Sequence, residues 1–372
     1  MQKILITKPS IDHNDLIEVN RAIVDGWGEN YLFYNKKFES TFKKYIKARY
    51  CIATSSCTGA THIALKALKL TKGDEIILPN VTWFSCASVI DYVGAKPVFV
   101  DIDPKTFCID PNEIKKKITS KTKAVLMVHL YGAVCDIDQI KNICKNKKIF
   151  LIEDCAESVG SEYKKKKTGT FGDISVFSFH GSKTITTGGE GGAITTNNKE
   201  LYERMNKISN HGKNKKKIFF QDEIGLKYKM STIQCAMGIS QINKIKKLNI
   251  KKNKIFYYFK KKLFKLPIIF QESDKKSIPY YWMPTFYVNS KNFNRDNFIL
   301  YMNKKNISLR PVFYPLNKFN FYKSNLKNTN FKNSYKIAKN GVNLPSYYEL
   351  EKIDLDYIIK NIINYFTLKN IK

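Results

Sequence analysis

Lys183 follows SFHGS and precedes TITTGGEGG, in the stretch Thr170–Thr196. Two short apolar runs rich in β-formers, Ile174–Phe179 and Ala193–Thr196, flank it, so the stretch reads as strand, turn, strand. The lysine is therefore held on a sharp, glycine-flanked bend, not on a solvated helix face. A surface lysine has no need of an apolar strand leading in, of hydroxyls at Ser178, Ser182, Thr184 and Thr187, or of a GGEGG cluster behind. An amine that must lose its proton and attack a carbonyl needs a partly dry, rigid seat of this kind.

Three further places carry residue types that suit a bound anionic cofactor. Asp154 ends an apolar strand in IEDCAES. A carboxylate there is costly unless it meets a cation, although it would also serve as a helix N-cap. Trp83, in PNVTWFS after another strand, offers a flat aromatic face, or ordinary core packing. Ser56, Cys57 and Thr58 open a helix over Gly59–Leu68, where backbone N–H groups and hydroxyls receive a phosphate or simply cap the helix.

The run SFHGSKTITTGGEGG resembles the lysine segment of the DegT/DnrJ/EryC1/StrS aminotransferases, fold-type-I enzymes that use pyridoxal 5'-phosphate (PLP) on nucleotide-linked sugars. It is most similar to the branch that aminates a 4-keto-6-deoxy sugar nucleotide. The TITTG loop resembles members acting at C4 more than those acting at C3, whose loop more often reads KNLGxxGDGG. The family's TTGEGG carries one glycine fewer than this chain, which has both Gly188 and Gly189. The resemblance runs from about residue 6 to the end. It implies that Lys183 bonds the cofactor aldehyde, that Asp154 pairs with the pyridine nitrogen, and that Glu157 lies near the ring hydroxyl. It also implies that Trp83 stacks on the ring and that Thr58 and Ser178 contact the phosphate. Cys57 stands where the family's SNGT has glycine.

Ile224–Gly238, IGLKYKMSTIQCAMG, resembles the family's GYNYRMTNIQAA, whose asparagine reaches the phosphate of the neighbouring subunit. Lys227 occupies that place and Lys229 replaces the arginine. The resemblance thus implies a homodimer with shared active sites. Leu309–Leu316, LRPVFYPL, matches TRPVFYPL and makes Arg310 a substrate-side residue; Tyr281–Met283 also matches. His180 and Tyr131 are expected to border the sugar. Together these imply transfer of an amino group from L-glutamate, through pyridoxamine 5'-phosphate, to C4 of a nucleotide-linked 4-keto-6-deoxyhexose for a surface polysaccharide. The same chemistry on a UDP- or dTDP-sugar, or at C3, stays open. A family dehydratase would have histidine in place of Lys183.

The formal charge of +32 raises a different class, a non-catalytic binder of nucleic acid or another polyanion. Of 64 basic residues only Arg21, Arg49, Arg204, Arg295 and Arg310 are arginine, whereas nucleic-acid readers favour arginine at phosphates and base edges. Runs such as Lys164–Lys167, Lys213–Lys217 and Lys260–Lys262 read as solvated faces. No nucleic-acid partner is expected. The eight cysteines show no CxxC pair or ligand spacing with the five histidines, which argues against a metal and for a reducing compartment. With no stretch resembling a membrane span or signal, the expected location is the cytoplasm.

Elements to position these residues follow in order. Ile11–Asp25 and Phe38–Ile46 show helical spacing. Continuous apolar strands at 75–79, 97–103, 124–132 and 149–158 alternate with helical segments, the pattern of a mostly parallel sheet covered on both faces. In such sheets chemistry gathers at the carboxyl ends of the strands. The expectation is an α/β fold of fold type I. It comprises a large domain, residues 1–242, on a mostly parallel seven-stranded sheet, and a smaller C-terminal α/β domain, residues 243–372. Asn289–Asn330, though rich in Asn and Lys, keeps regular apolar residues and reads as ordered.

Overall fold

Apolar runs of five to seven residues, too short for helices and rich in Ile and Val, become the strands of a buried sheet. A computed structural model describes residues 2–214, 216–325 and 330–371. Position 215, in the Lys213–Lys217 run, and positions 326–329, in Asn289–Asn330, lie outside the described residues.

Two helices, α1 (His13–Asp25) and α2 (Phe33–Ile46), lead in. Strand and helix then alternate through β1 (Tyr50–Thr54), α3 (Cys57–Ala67), β2 (Glu75–Pro79), α4 (Ser85–Tyr92) and β3 (Lys96–Val100). The alternation continues through α5 (Pro111–Lys117), β4 (Thr122–Val128), α6 (Ile137–Lys147) and β5 (Phe150–Asp154). A small hairpin, β6 (Glu162–Tyr163) and β7 (Lys166–Lys167), precedes β8 (Ile174–Ser178) and β9 (Gly192–Thr196). Helices α7 (Lys199–Ile208) and α8 (Thr232–Lys262) follow. The remainder carries β10 (Ile268–Phe270), β11 (Ser277–Ile278), β12 (Thr285–Val288), α9 (Arg295–Lys304), β13 (Arg310–Pro311), α10 (Lys332–Asn340), β14 (Gly341–Asn343) and α11 (Lys352–Leu368).

Among the described residues the large sheet has seven strands in the order β1-β9-β8-β5-β4-β2-β3. Its pairs from β8 through β3 are parallel, while β9 runs antiparallel to both β1 and β8. The fold is therefore the expected α/β arrangement with a large, mostly parallel sheet. The reversed strand has a local cause: the chain turns back at Lys183 through a hairpin instead of crossing over a helix. A second sheet, β10-β12-β14-β13, is antiparallel. One core joins the two sheets, with Met127 and Leu130 beside Phe256, Trp282 and Phe286. The 242/243 position lies inside α8, whose 31 residues run unbroken past both sheets. Among the described residues no helix is long and apolar enough to cross a membrane.

A carboxylate seals the contact between α2 and β1. Glu39 accepts the N–H of Ala53 at 2.9 Å. Burial pushes its pKa up to about 7, against the pull of that hydrogen bond, Lys229 and Lys43. Because the folded value lies above the unfolded one, Glu39 adds stability below about pH 4.5 that is lost as pH rises through about 7. Glu39→Gln keeps the acceptor and removes the charge. Relative to wild type it is expected to gain about 1–2 kcal/mol at pH 8 and little at pH 5, read by denaturant unfolding at the two pH values.

Candidate active site

The carboxyl ends of β5 and β8 lie side by side, pairing Asp154 with Val176. Asp154 is 4% exposed. One of its oxygens accepts the Ala156 N–H at 2.9 Å, and the other faces the Cys86 thiol of α4 at 3.4 Å. Burial holds its pKa above the usual carboxylate range, with Glu157 adding to the rise and Lys183 opposing it. No ion pair links Asp154 to a cation among the described residues, although Lys183 is close enough to influence it. A buried carboxylate in that state is a socket for a cationic group.

Lys183 sits on the bend between β8 and β9, where its N–H bonds the carbonyl of His180 at 2.8 Å. Gly188 and Gly189 follow with φ of +92° and +113°. Both donate to the Thr186 hydroxyl at 3.3 Å, so the additional glycine serves a turn in the left-handed region that side chains disfavour. The Lys183 amine ion-pairs with Glu157 at 3.0 Å, and both side chains are largely buried. Glu157 is fixed by the Tyr131 N–H, donated to its second oxygen at 2.7 Å. Above the amine lies the Trp282 indole, its ring centroid 3.8 Å from Nζ. The indole N–H in turn donates to the Ser182 carbonyl at 2.8 Å.

Ser56 caps α3, accepting the Gly59 N–H at 3.0 Å, and thereby aims the first turn, with Cys57 and Thr58, at the same region. Gly192 admits this approach, since a Cβ there would collide with the backbone of Ser56 and Cys57. Burial and then the Asp154 carboxylate push the Cys57 thiol up, while Lys183 draws it down, so the helix start shares the field of both groups. Ser178 ends β8, 9% exposed, its hydroxyl accepting the His180 N–H at 3.4 Å. Trp83 is 59% exposed with its ring 5.5 Å from that of Phe313.

The residues expected on the substrate side are placed less uniformly. Tyr131 is wholly buried, its phenol accepting the Phe313 N–H at 3.0 Å. Arg310 is exposed on β13 and close enough to act electrostatically on Tyr131. His180 turns to the Ser182 hydroxyl at 2.8 Å, with Glu190 at 3.8 Å. Lys227 is exposed, with no hydrogen bond or ion pair among the described residues. The sequence matched Trp282 without assigning it a role, and it gave no sign of Glu153 or Cys86. Glu153, beside Asp154 in sequence, points to the other face of the sheet and accepts five hydrogen bonds. Its oxygens, His129 and Cys155 come within 4.8 Å of one another. Glu153 and the Nδ1 of His129, which accepts the Cys135 N–H at 3.1 Å, are however already engaged, so these two form a hydrogen-bonded knot beside Cys155.

A buried amine paired with a carboxylate, a second buried carboxylate short of a cation and a hydroxyl-bearing helix start share one field, with the exposed Trp83 indole two residues before α4. Together they fit the aldehyde, ring nitrogen, phosphate and ring face of pyridoxal phosphate.

Comparison with known proteins gives the same chemistry. The DegT/DnrJ/EryC1/StrS aminotransferase family model matches residues 9–363. The GDP-perosamine synthase of Escherichia coli O157:H7 is 36% identical over 99% of this chain and 100% of its own length. That of Vibrio cholerae is 33% identical over 97% of this chain and 98% of its own. Among solved structures, a Streptococcus pneumoniae protein in its PMP form is 26% identical with a TM-score of 0.92, covering 98% of this chain and 100% of that one. The aminotransferase of Psychrobacter cryohalolentis is 25% identical with a TM-score of 0.90, covering 98% of each chain.

Proposed function

The chain belongs to the DegT/DnrJ/EryC1/StrS aminotransferase family, and from that premise we propose that it moves the amino group of L-glutamate to C4 of GDP-4-keto-6-deoxyhexose. It is a PLP-dependent sugar aminotransferase; the substrate is our reading, supported by relatives named GDP-perosamine synthase. The product is a 4-amino-4,6-dideoxyhexose nucleotide for surface polysaccharide synthesis. The observation that carries the reading is the Lys183–Glu157 pair beside the buried, cation-seeking Asp154.

Lys183 would hold the cofactor by its aldehyde, Asp154 by its ring nitrogen, Trp83 by its face, and Cys57, Thr58 and Ser178 by its phosphate. When bound, pyridoxal phosphate supplies an electron sink and carries the amino group between donor and acceptor. Glu157 keeps the Lys183 amine aimed and, in its charged form, ready to give a proton. Once free, Nζ of Lys183 takes the proton from the α-carbon of glutamate and, in the return half, delivers one to C4 of the sugar. Asp154 keeps the proton at the ring nitrogen in place. Trp282 covers one side of the amine and excludes water there. Arg310, His180 and Tyr131 make up the sugar-nucleotide side of the site.

The test is an absorbance spectrum of the protein with pyridoxal phosphate before and after L-glutamate, then GDP-, UDP- and dTDP-linked 4-keto-6-deoxy sugars in turn. The visible band of the lysine-bound cofactor should fall with glutamate and return with the GDP sugar. An unchanged band sinks the aminotransferase reading, and return with another nucleotide alone, or an amine at C3, sinks the substrate.

The enzyme works, in this reading, as a cytoplasmic homodimer. Ile218, Phe219 and Ile224 are 80%, 91% and 86% exposed on the same stretch as the unpartnered Lys227, a face that suits a second copy. The eight cysteines are unpaired and mostly buried, as a reducing compartment allows. If Lys227 reaches the partner's phosphate, Lys183→Ala and Lys227→Ala chains will complement each other. Mixed after co-refolding, they should regain about a quarter of wild-type sites, since half the dimers are hybrids and each hybrid has one intact site. Activity no greater than the sum of the parents rules out sharing through Lys227.

A further inference from the structure

Lys252 lies on α8, 5% exposed, with no carboxylate in ion-pair range among the described residues. Its amine donates to the Trp282 carbonyl at 3.1 Å and the Ser346 carbonyl at 2.8 Å, and meets the Ser346 hydroxyl at 3.5 Å. Two carbonyls and a hydroxyl thus accept from one buried amine, with no carboxylate among the described residues in range to pair with it. Burial pushes its pKa down to about 7 against a weaker upward pull from Glu349.

Neighbours on the same helix face extend the clamp. The Asn249 side chain donates to the Val159 carbonyl at 2.8 Å, two residues past Glu157. The Asn253 amide donates to Pro279 at 2.8 Å, and its carbonyl accepts the Tyr281 N–H at 3.1 Å. The segment so held ends at Trp282, whose N–H bonds the Tyr131 carbonyl at 2.9 Å and whose indole is tied to Ser182 and stands over Lys183. A Trp carbonyl fixed from behind leaves its ring little freedom to leave the amine.

We propose that Lys252 is a positioning residue for amino transfer: through the Trp282 carbonyl it fixes the indole against the Lys183 amine and so sets the reactivity of Lys183. The inference rests on the aminotransferase reading, because it gives meaning to Trp282 only if Lys183 is the reacting amine. An indole face attracts an ammonium and shields it from water, so a loosened ring changes the approach of the lysine.

The experiment is a double-mutant cycle on the apo protein. The rate at which Lys183 captures added pyridoxal phosphate is followed by the visible band for wild type, Lys252→Met, Trp282→Phe and the double variant. Lys252→Met keeps the apolar stem and removes the donors. It should slow capture about tenfold, as expected for a misplaced reacting group. The double variant should be no slower than Trp282→Phe alone. Acrylamide quenching of Trp282, in a Trp27→Phe/Trp83→Phe background without cofactor, should rise about twofold on Lys252→Met as the ring loosens. If Lys252→Met does not fold, Lys252→Gln, whose shorter side chain keeps a polar donor but does not reach both carbonyls, replaces it in the cycle with an expected slowing of about threefold. Wild-type capture rates in the variants, additive effects of Lys252 and Trp282, or unchanged quenching overturn the proposal. Failure of the wild-type protein itself to capture the cofactor overturns instead the functional reading beneath it.

Discussion

Lys183→Ala is expected to lower amino transfer by at least about 10³-fold, with the protein still folded. In the proposed reaction the amine both joins the cofactor and moves the proton, so its loss would remove two roles at once. It also leaves the Glu157 carboxylate, 6% exposed, without the ion-pair partner at 3.0 Å. The cost should be about 1–3 kcal/mol, because Glu157 keeps the Tyr131 N–H and loses only its charged donor. Lys183→Arg separates the two consequences. A guanidinium restores a cation beside Glu157 but does not give up its proton near neutral pH. Stability should therefore recover while transfer stays as low as in Lys183→Ala. Steady-state amino transfer and thermal unfolding of the two variants check this. Activity in Lys183→Arg within tenfold of wild type would remove Lys183 from the chemistry.

The parts of the site visible in the sequence are those whose chemistry lies in one short stretch. Lys183 is marked by the apolar strand before it and the glycines after it, and Asp154 by its place at the end of an apolar run. Both descend from strand ends of one sheet, which period and apolar content reveal. Trp282 is another matter. It meets Lys183 across 99 residues of sequence, by way of a segment that α8 holds from behind. Tyr131 binds Phe313 across 182 residues. No local pattern encodes such contacts. The expected domain boundary at 242/243 falls inside α8, which carries neither glycine nor proline after Gly238 before the chain reaches Pro267. Helix continuity follows backbone propensity, not the shift toward lysine and asparagine on its surface.

Glu153 is the clearest case of a residue hidden by its neighbour, and its replacement should have the largest effect on stability. In sequence it reads as the companion of Asp154. In the fold it is 0% exposed, and alternation along β5 sends it to the opposite face. One oxygen accepts the Gly169 N–H at 2.6 Å and meets His129 Nε2 at 3.1 Å. The other accepts the N–H groups of Phe171 and Gly172 and the Ser175 hydroxyl, at 2.9, 3.0 and 3.0 Å. Because Nδ1 of His129 accepts from Cys135, the ring donates through Nε2, and all five groups point protons at the carboxylate. Burial alone would raise its pKa; the hydrogen bonds from His129, Gly169 and Gly172 outweigh it and hold the value below the usual range. With the folded value depressed, this stabilisation is present above the unfolded pKa of about 4.5 and is lost as pH falls through the folded value. Glu153→Gln is nearly the same shape, yet its NH₂ would face at least two donors whichever way the amide is turned. We expect a loss of about 3–5 kcal/mol at pH 7, as for a buried network deprived of its charge, and a smaller loss at pH 4. The loop 169–172 enters β8, which delivers Ser178 and then the Lys183 bend. A folded Glu153→Gln protein should therefore also bind pyridoxal phosphate more weakly, although Glu153 points to the sheet face opposite Asp154. Urea unfolding at pH 7 and pH 4 with a cofactor titration tests both statements. A variant within about 1 kcal/mol of wild type at pH 7 would mean that the five donors find other partners and that Glu153 does not anchor the strand leading to the Lys183 bend.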